Sequence, residues 1–362
     1  MKCRVTFSVA AGCMLAALIA AWPAVDALAQ ATADDAVVIS AEERAALVSG
    51  IGTKLGTEYV DPVVAKKMAD AIATRARRGE YADVASGQAL ADKLKADLRE
   101  VSHDQHLWIG YHPEGARDEP IAPTTADLDT WRPHVARDNF AFDKVERLQG
   151  NVGYVAFRIF AYPYLAAETA TAAMSFVAHT DALIIDLRNN AGGDPDMVAY
   201  LASYLFDERT HLNDILVRKG NQLQQYWTSP LVPGQIYGGS KPVFVLTSRA
   251  TFSAAEDFSY ALQHLKRATI VGEKTGGGAH PSREFRITDH FTAAIPYARS
   301  MSPITQANWE GTGVAPDIAA PADRALAVAY QAALKRIAET TPDPQRKVEM
   351  QRLLDAQTTA GP

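Results

Sequence analysis

From Val152 onward the chain repeats one pattern: a short run of consecutive apolar residues, a turn of small or polar residues, then a stretch with helical spacing. The apolar runs are Val152 to Phe157, Ala182 to Leu187, Lys241 to Thr247 and Thr269 to Gly272. Between and after them, Tyr164 to Ala178, Asp196 to Phe206 and a segment starting at Ser253 have helical character. Apolar runs without polar alternation suit strands covered on both faces, and strands that alternate with helices make parallel sheets. The fold class predicted for this half is therefore α/β. Phe285 to Ile287 and Phe291 to Ile295, flanking Thr288-Asp289-His290, predict a hairpin, and Arg324 to Leu354 predict a helical tail.

The first third has a different texture. Ser40 precedes Ala41-Glu42-Glu43 and can cap a helix whose positive end favours those carboxylates. Leu47, Ile51 and Leu55 follow at four-residue spacing, Asp61-Pro62 opens a second helix, and Leu90, Leu94 and Leu98 mark the inner face of a third. Residues 30–112 thus predict a three-helix bundle. Residues 113–150, rich in Asp, Pro and Thr and without periodicity, predict an irregular linker. Residues 151–322 form the α/β core and 323–362 the tail.

Residues 1–29 have the parts of a signal peptide: Lys2 and Arg4, an apolar stretch to about Ala24, and Ala27-Leu28-Ala29 before the expected cut. This predicts an exported protein, periplasmic or secreted, without stable membrane insertion after cleavage. Both cysteines, Cys3 and Cys13, fall within that segment, so the mature chain is expected to hold no disulfide and no thiolate metal site. A net charge of -6 offers no basic footprint for nucleic acid. His103 and His106 are three apart, but no further ligand set accompanies them, and no metal is expected.

Two strand ends carry the chemistry. Thr247-Ser248-Arg249-Ala250-Thr251-Phe252-Ser253 runs from an apolar strand into a helix start, where unpaired N–H groups and the helix dipole surround a hydroxyl. A serine nucleophile needs that exposure and those donors; a serine in this position is also an ordinary helix cap. Asp186-Leu187-Arg188-Asn189-Asn190-Ala191-Gly192-Gly193 ends the second strand. Its glycines either make a tight turn braced by asparagines or bring a Gly192 or Gly193 amide beside that of Ala254 as an oxyanion hole. Both segments sit at strand C-terminal ends, where α/β active sites gather.

These segments resemble a known family. Asp186 to Gly193 is similar to a D-x-R-x-N-x-G-G signature, Ser253-Ala254-Ala255-Glu256 to a nucleophile segment, and Gly311-Thr312-Gly313-Val314-Ala315-Pro316-Asp317-Ile318 to a closing G-x-G-V-x-P-D-I. All three occur in the serine peptidases of the C-terminal processing protease and tricorn-core type, which include interphotoreceptor retinoid-binding protein. The resemblance implies a crotonase-like core with Ser253 as nucleophile. The processing proteases use a lysine base in a T-F-G-K-G segment, and here Thr275-Gly276-Gly277-Gly278-Ala279 puts Gly278 in the lysine position. The interval from Tyr111 to Asn151 is too short for their PDZ domain. Both departures point to the non-PDZ branch.

A histidine is the natural substitute base. Asp104-Gln105-His106 resembles the D-x-H stretch of tricorn-type enzymes and implies His106, with His103 and His280 as alternatives. Glu310, just before the closing motif, is implied as the acidic orienter, contacting the dyad through another polar group or holding the imidazole directly. Gln105 stands where the tricorn pattern has a serine. Glu256 and Asp257 lie in the first turn after Ser253, where carboxylates favour a helix start. The expected function is an exported serine-type peptidase working through an acyl-enzyme, without cofactor, on peptides or unfolded protein. The alternatives are a non-catalytic carrier of apolar ligands on the same core and a small-substrate esterase.

Overall fold

The computed structural model describes residues 39–84, 86–117 and 123–359. The signal-peptide segment and both cysteines lie outside the described residues. Three helices come first: α1 (Ala41–Glu58), α2 (Pro62–Arg77) and α3 (Gly87–Ser102). After β1 (Trp108–Tyr111) and α4 (Thr125–Ala136) the core runs β2 (Phe142–Leu148), β3 (Val152–Phe157), α5 (Pro163–Val177), β4 (Ala182–Asp186) and α6 (Pro195–Ser203). Then follow β5 (His211–Val217), β6 (Gln222–Trp227), β7 (Val243–Thr247), α7 (Ala254–His264) and β8 (Thr269–Gly272). The chain closes with β9 (Ser282–Arg286), β10 (Phe291–Pro296), β11 (Ala298–Met301), β12 (Ile318–Ala319), α8 (Ala325–Thr340) and α9 (Pro344–Thr359).

The main sheet has the order β12-β8-β7-β4-β3-β2, parallel except for β2. Side chains alternate across it, as strand geometry requires. Leu183 and Ile185 of β4 join Val245 of β7 under α5, α6 and α7. Ala182 and Ile184 join Phe244 and Leu246 under α8, whose Ala325, Ala329 and Ala333 let the helix approach closely. Helices on both faces explain why these strands carry unbroken apolar runs.

The first two N-terminal helices start at the residues their sequences predict, and the third has a cap that its leucine spacing did not name. Ser40, Asp61 and Ser86 each accept hydrogen bonds from backbone N–H groups of the following turn. Leu47, Ile51, Leu55, Met68, Ile72, Leu90, Leu94 and Leu98 form one core, but helices alone do not close it. Ile109 of β1 and Phe291, Ala293 and Ile295 of β10 complete it. β1 pairs antiparallel with β10, Trp108 opposite Ala294, and β10 pairs in turn with β9. A hairpin from the far end of the chain is thus the fourth wall of the N-terminal unit.

Residues 113–150 differ from the linker expectation. Thr124 and Asp127 form a capping box that starts α4, with Asp127 N–H donating to Thr124 Oγ1 at 3.2 Å and Thr124 N–H to Asp127 Oδ2 at 2.7 Å. Leu128 packs with Tyr162 and Leu165 of the core. β2 is an edge strand whose Asp143, Lys144, Glu146 and Arg147 leave no apolar run to read. Edge strands bear such charges because one side faces water. Among the described residues no helix is long and apolar enough to cross a membrane.

Candidate active site

β4 and β7 are neighbours in the sheet, so the turns that leave them meet. Phe252 N–H donates to Asn190 O at 3.1 Å, Thr251 Oγ1 to Leu187 O at 2.7 Å and Ser248 Oγ to Arg188 O at 2.5 Å. Asp186 accepts from the Arg188 guanidinium and from Tyr154 at 2.7 Å, which braces the first turn. A Cβ on Gly192 would lie 2.6 Å from Ser253 Cβ, and one on Gly193 2.2 Å from Phe160 O. Both positions have positive φ, 111° and 141°. Only glycine permits this approach.

Ser253 has φ 55° and ψ -120°, a conformation that costs a β-carbon-bearing residue about 1–3 kcal/mol. Its side chain stands in the capping-box position of α7, yet the hydrogen bond from Glu256 N–H goes to the Ser253 carbonyl. The helix start is tied by other groups: Ser253 N–H donates to Glu256 Oε2 at 2.9 Å and Glu256 N–H to Ser253 O at 2.9 Å. Glu256 is fully buried and also accepts from Thr275 Oγ1 and the Gly277 and Gly278 N–H groups at 2.5–2.8 Å. It therefore clamps the nucleophile segment to the glycine loop, a role its position in the first turn did not disclose. Burial pushes its carboxyl up to about 7, against the pull of those donors.

The released hydroxyl faces a histidine. His106 Nε2 lies 3.0 Å from Ser253 Oγ across 147 residues of sequence. His106 follows α3, and the pairing of β1 with β10 carries it to the glycine loop. Its ring packs on Phe252 at 4.5 Å between centroids. Its backbone is held by His106 N–H donating to Asp104 Oδ1 at 3.0 Å. Burial pushes the imidazole down to about 4, and the Asp104 carboxylate only partly offsets this. The His106 imidazole is therefore neutral at ordinary pH.

Gly278, in the position where the resemblance expects lysine, explains how a histidine fits. A Cβ there would lie 2.6 Å from His106 Cε1 and 2.2 Å from Phe252 Cζ. The imidazole occupies the space that a side chain at 278 would need.

His280 and Glu310 form a separate network beside this pair. His280 Nδ1 lies 2.8 Å from Asp104 Oδ2 and 3.6 Å from Glu310 Oε2, and Tyr59 donates to Asp104 Oδ2 at 3.1 Å. Glu310 Oε2 also accepts from Ala279 N–H at 2.6 Å. Burial opposes charge on His280, but the hydrogen-bonded Asp104 carboxylate outweighs it and raises the imidazole above its usual range. Burial and the nearby Asp104 push Glu310 up to about 7. His106 Nδ1 is buried and has no hydrogen-bond partner among the described residues, so Glu310 does not hold the imidazole directly. His103 ends α3 in a left-handed conformation and is exposed. Asp104, His280 and Glu310 bring one ligand atom each within 4.8 Å of one another, a grouping the sequence did not reveal. With Nδ1 bridging two carboxylates it is an ion-pair network.

The glycine turn also separates its two amides. Gly192 N–H donates to Asn190 Oδ1 at 2.9 Å. The N–H groups of Gly193 and Ala254 have no acceptor among the described residues. Of the three oxyanion candidates, these two are the available donors.

Residues 151–320 match the family model of Peptidase family S41, and residues 24–136 match the model of the N-terminal domain of Peptidase_S41 in eukaryotic IRBP. The carboxyl-terminal-processing protease of Synechocystis is 32% identical over 166 residues, 42% of this chain and 36% of that protein. Its counterpart from Picosynechococcus is 29% identical over 192 residues, 52% of this chain and 44% of that protein. The chain thus spans less than half the length of these curated relatives. A crystal structure of a putative peptidase from Parabacteroides merdae shares the fold, with a TM-score of 0.52, 20% identity and coverage of 77% of this chain and 90% of that one. With a matching core and a matching N-terminal domain, the chain belongs to peptidase family S41.

Proposed function

We propose that this protein is a serine-type peptidase that forms an acyl-enzyme on Ser253. The reading rests on one observation above all: His106 Nε2 is 3.0 Å from Ser253 Oγ. Neutral His106 takes the hydroxyl proton as Oγ attacks the peptide carbonyl carbon. The Gly193 and Ala254 N–H groups receive the oxyanion. The leaving amine takes the proton from Nε2 as the C–N bond breaks. Water then attacks the ester with His106 again as base, releasing the acid and restoring Ser253. These steps call for no cofactor. The substrates proposed are short or unfolded peptides. A fluorophosphonate probe is expected to label the folded protein, with the adduct mapped to the Ser253 peptide by mass spectrometry. Well-folded protein that takes no label would favour an apolar-ligand carrier.

The pH profile follows from His106. Activity needs the neutral imidazole, so it is present above the folded pKa of about 4 and lost as pH falls through it. The limb set by His106 is expected to fall by half near that folded value, not at the ordinary 6.5, and so lies below the range near 7 where Glu256 and Glu310 titrate. The same group makes the fold less stable over that interval, because the unfolded chain binds a proton that buried His106 refuses. An acid limb centred at the ordinary value would remove a buried His106 from the base role.

Export is the second element of the proposal. Cleavage after Ala29 predicts that N-terminal sequencing of the mature protein begins at Gln30. A mature chain that still begins at Met1 would contradict it.

A further inference from the structure

The base and the nucleophile are carried by different parts of the fold. His106 lies in the turn between α3 and β1, and Ser253 lies at the start of α7 in the core. Arg99 fixes the turn to its own unit, its Nε donating to Leu107 O at 2.8 Å and its Nη2 to Gln105 O at 2.5 Å. Among the described residues two side-chain hydrogen bonds reach from this turn to the core, His106 to Ser253 and Asp104 to His280. Asp104 is 1% exposed, and both its oxygens are engaged. Oδ1 accepts the His106 N–H, and Oδ2 accepts from Tyr59 and His280. One carboxylate therefore joins the backbone of the base to a side chain of the core.

His280 is a firm point for such a tie, because the chain on either side of it is pinned. Trp309 Nε1 donates to Gly278 O at 2.6 Å and Ala279 N–H to Glu310 Oε2 at 2.6 Å. Ser300 N–H donates to Ala279 O and Tyr297 N–H to Pro281 O, both at 2.9 Å. Asp104 and Glu310 attract the His280 proton, and Arg299 of β11 repels it. The His106 ring and the Tyr59 phenol, whose titrations burial shifts away from neutrality, add no charge. Burial opposes charge on both members of the pair. The bond between them outweighs it, raising His280 above its usual range and holding Asp104 below its own. Glu310, pushed up to about 7, loses its charge as pH falls while the Asp104 pair remains. A charge-assisted hydrogen bond is roughly twice as strong as a neutral one. Asp104–His280 is thus the stronger of the two bonds that set where the turn sits.

We propose that Asp104 and His280 are positioning residues for the base: the charged pair latches the His106 turn to the core, and the latch loosens when His280 gives up its proton. The inference rests on the serine-peptidase reading and adds to it two residues that touch no reacting atom. The pair is complete below the ordinary imidazole value of 6.5 and is lost as pH rises through the higher folded one. Wild-type kcat is therefore expected to fall on the alkaline side, in a limb separate from that of His106. His280→Ala strands the buried Asp104 charge and frees the turn. Its kcat is expected to fall about 10²-fold with KM within about twofold, as for a base displaced by about 1 Å. In His280→Asn the amide nitrogen takes the place of Nδ1 and donates to Asp104 without titrating. That variant is expected to regain kcat to within about fivefold of wild type and to lack the alkaline limb. A purely structural pair would lower the thermal midpoint of His280→Ala and leave the kcat of folded enzyme as it was. That result overturns the inference, as does a wild type without an alkaline limb or a limb unchanged in His280→Asn. If His280→Ala does not fold, the wild-type and His280→Asn profiles decide. Fluorophosphonate labelling separates the two readings. Labelled wild type with an undiminished kcat in His280→Ala defeats the latch alone, and wild type that neither labels nor cleaves defeats both.

Discussion

Ser253→Ala is expected to lower kcat for peptide hydrolysis by at least about 10⁴-fold, while the protein stays folded. The size follows from losing the atom that forms the acyl-enzyme, leaving only binding and the oxyanion donors to stabilise the transition state. Stability separates this outcome from the ordinary fate of a helix-start serine. A capping serine changed to alanine costs about 1 kcal/mol, but the Ser253 Oγ hydrogen bond is to His106, and the Glu256 N–H goes to the Ser253 carbonyl. The variant should therefore unfold within about 0.5 kcal/mol of wild type, a change typical of sites without a structural bond. Steady-state kinetics with one peptide and a denaturant titration measure both numbers. A variant that keeps its activity while losing stability would return Ser253 to the capping role.

The second large effect is expected at a residue without a side chain. Gly278→Ala puts a methyl group 2.6 Å from His106 Cε1 and 2.2 Å from Phe252 Cζ, distances that real contacts do not reach. Both rings must move, and they are packed on one another. A shift of about 1 Å in the base is enough to cost roughly 10²-fold in kcat. Overpacking should also lower stability by about 1–3 kcal/mol. The Gly278 N–H bond to Glu256 is a backbone bond and survives the change, so the loss reports on the displaced imidazole. Gly278→Lys should be no better, because its β-carbon meets the same atoms before any amine can reach Ser253. Wild-type kcat in Gly278→Ala would show that the His106 ring does not need that space. A lysine at 278 and an imidazole at 106 compete for one volume, so the position of the His106 ring excludes a side chain at 278.

Local chemistry made much of this protein legible. Apolar runs marked β4 and β7 because a strand buried on both faces cannot carry polar residues. Ser40 and Asp61 announced their helices because a cap is written within three residues, while the third helix was legible from its leucine spacing. The Ser253 turn and the Gly192-Gly193 turn were readable for the same reason. α4 and β2 were not read as elements: the first depended on one capping box amid polar residues, and the second is a charged edge strand.

Partnerships between distant residues had another source. Asp104-Gln105-His106 and the resemblance singled out His106, but only the pairing of β1 with β10 set its Nε2 3.0 Å from Ser253 and turned His280 toward Asp104 and Glu310. The sequence likewise named Gly192 and Gly193 together, and a single Asn190 side chain separated them. Hydrogen-bond reach is a matter of ångströms, and strand register sets it through residues far from either partner. The sequence by itself determined the strands, the caps and the two turns that present Ser253 and the glycine pair. Tertiary structure decided the distances that bring an imidazole and two free amides beside them.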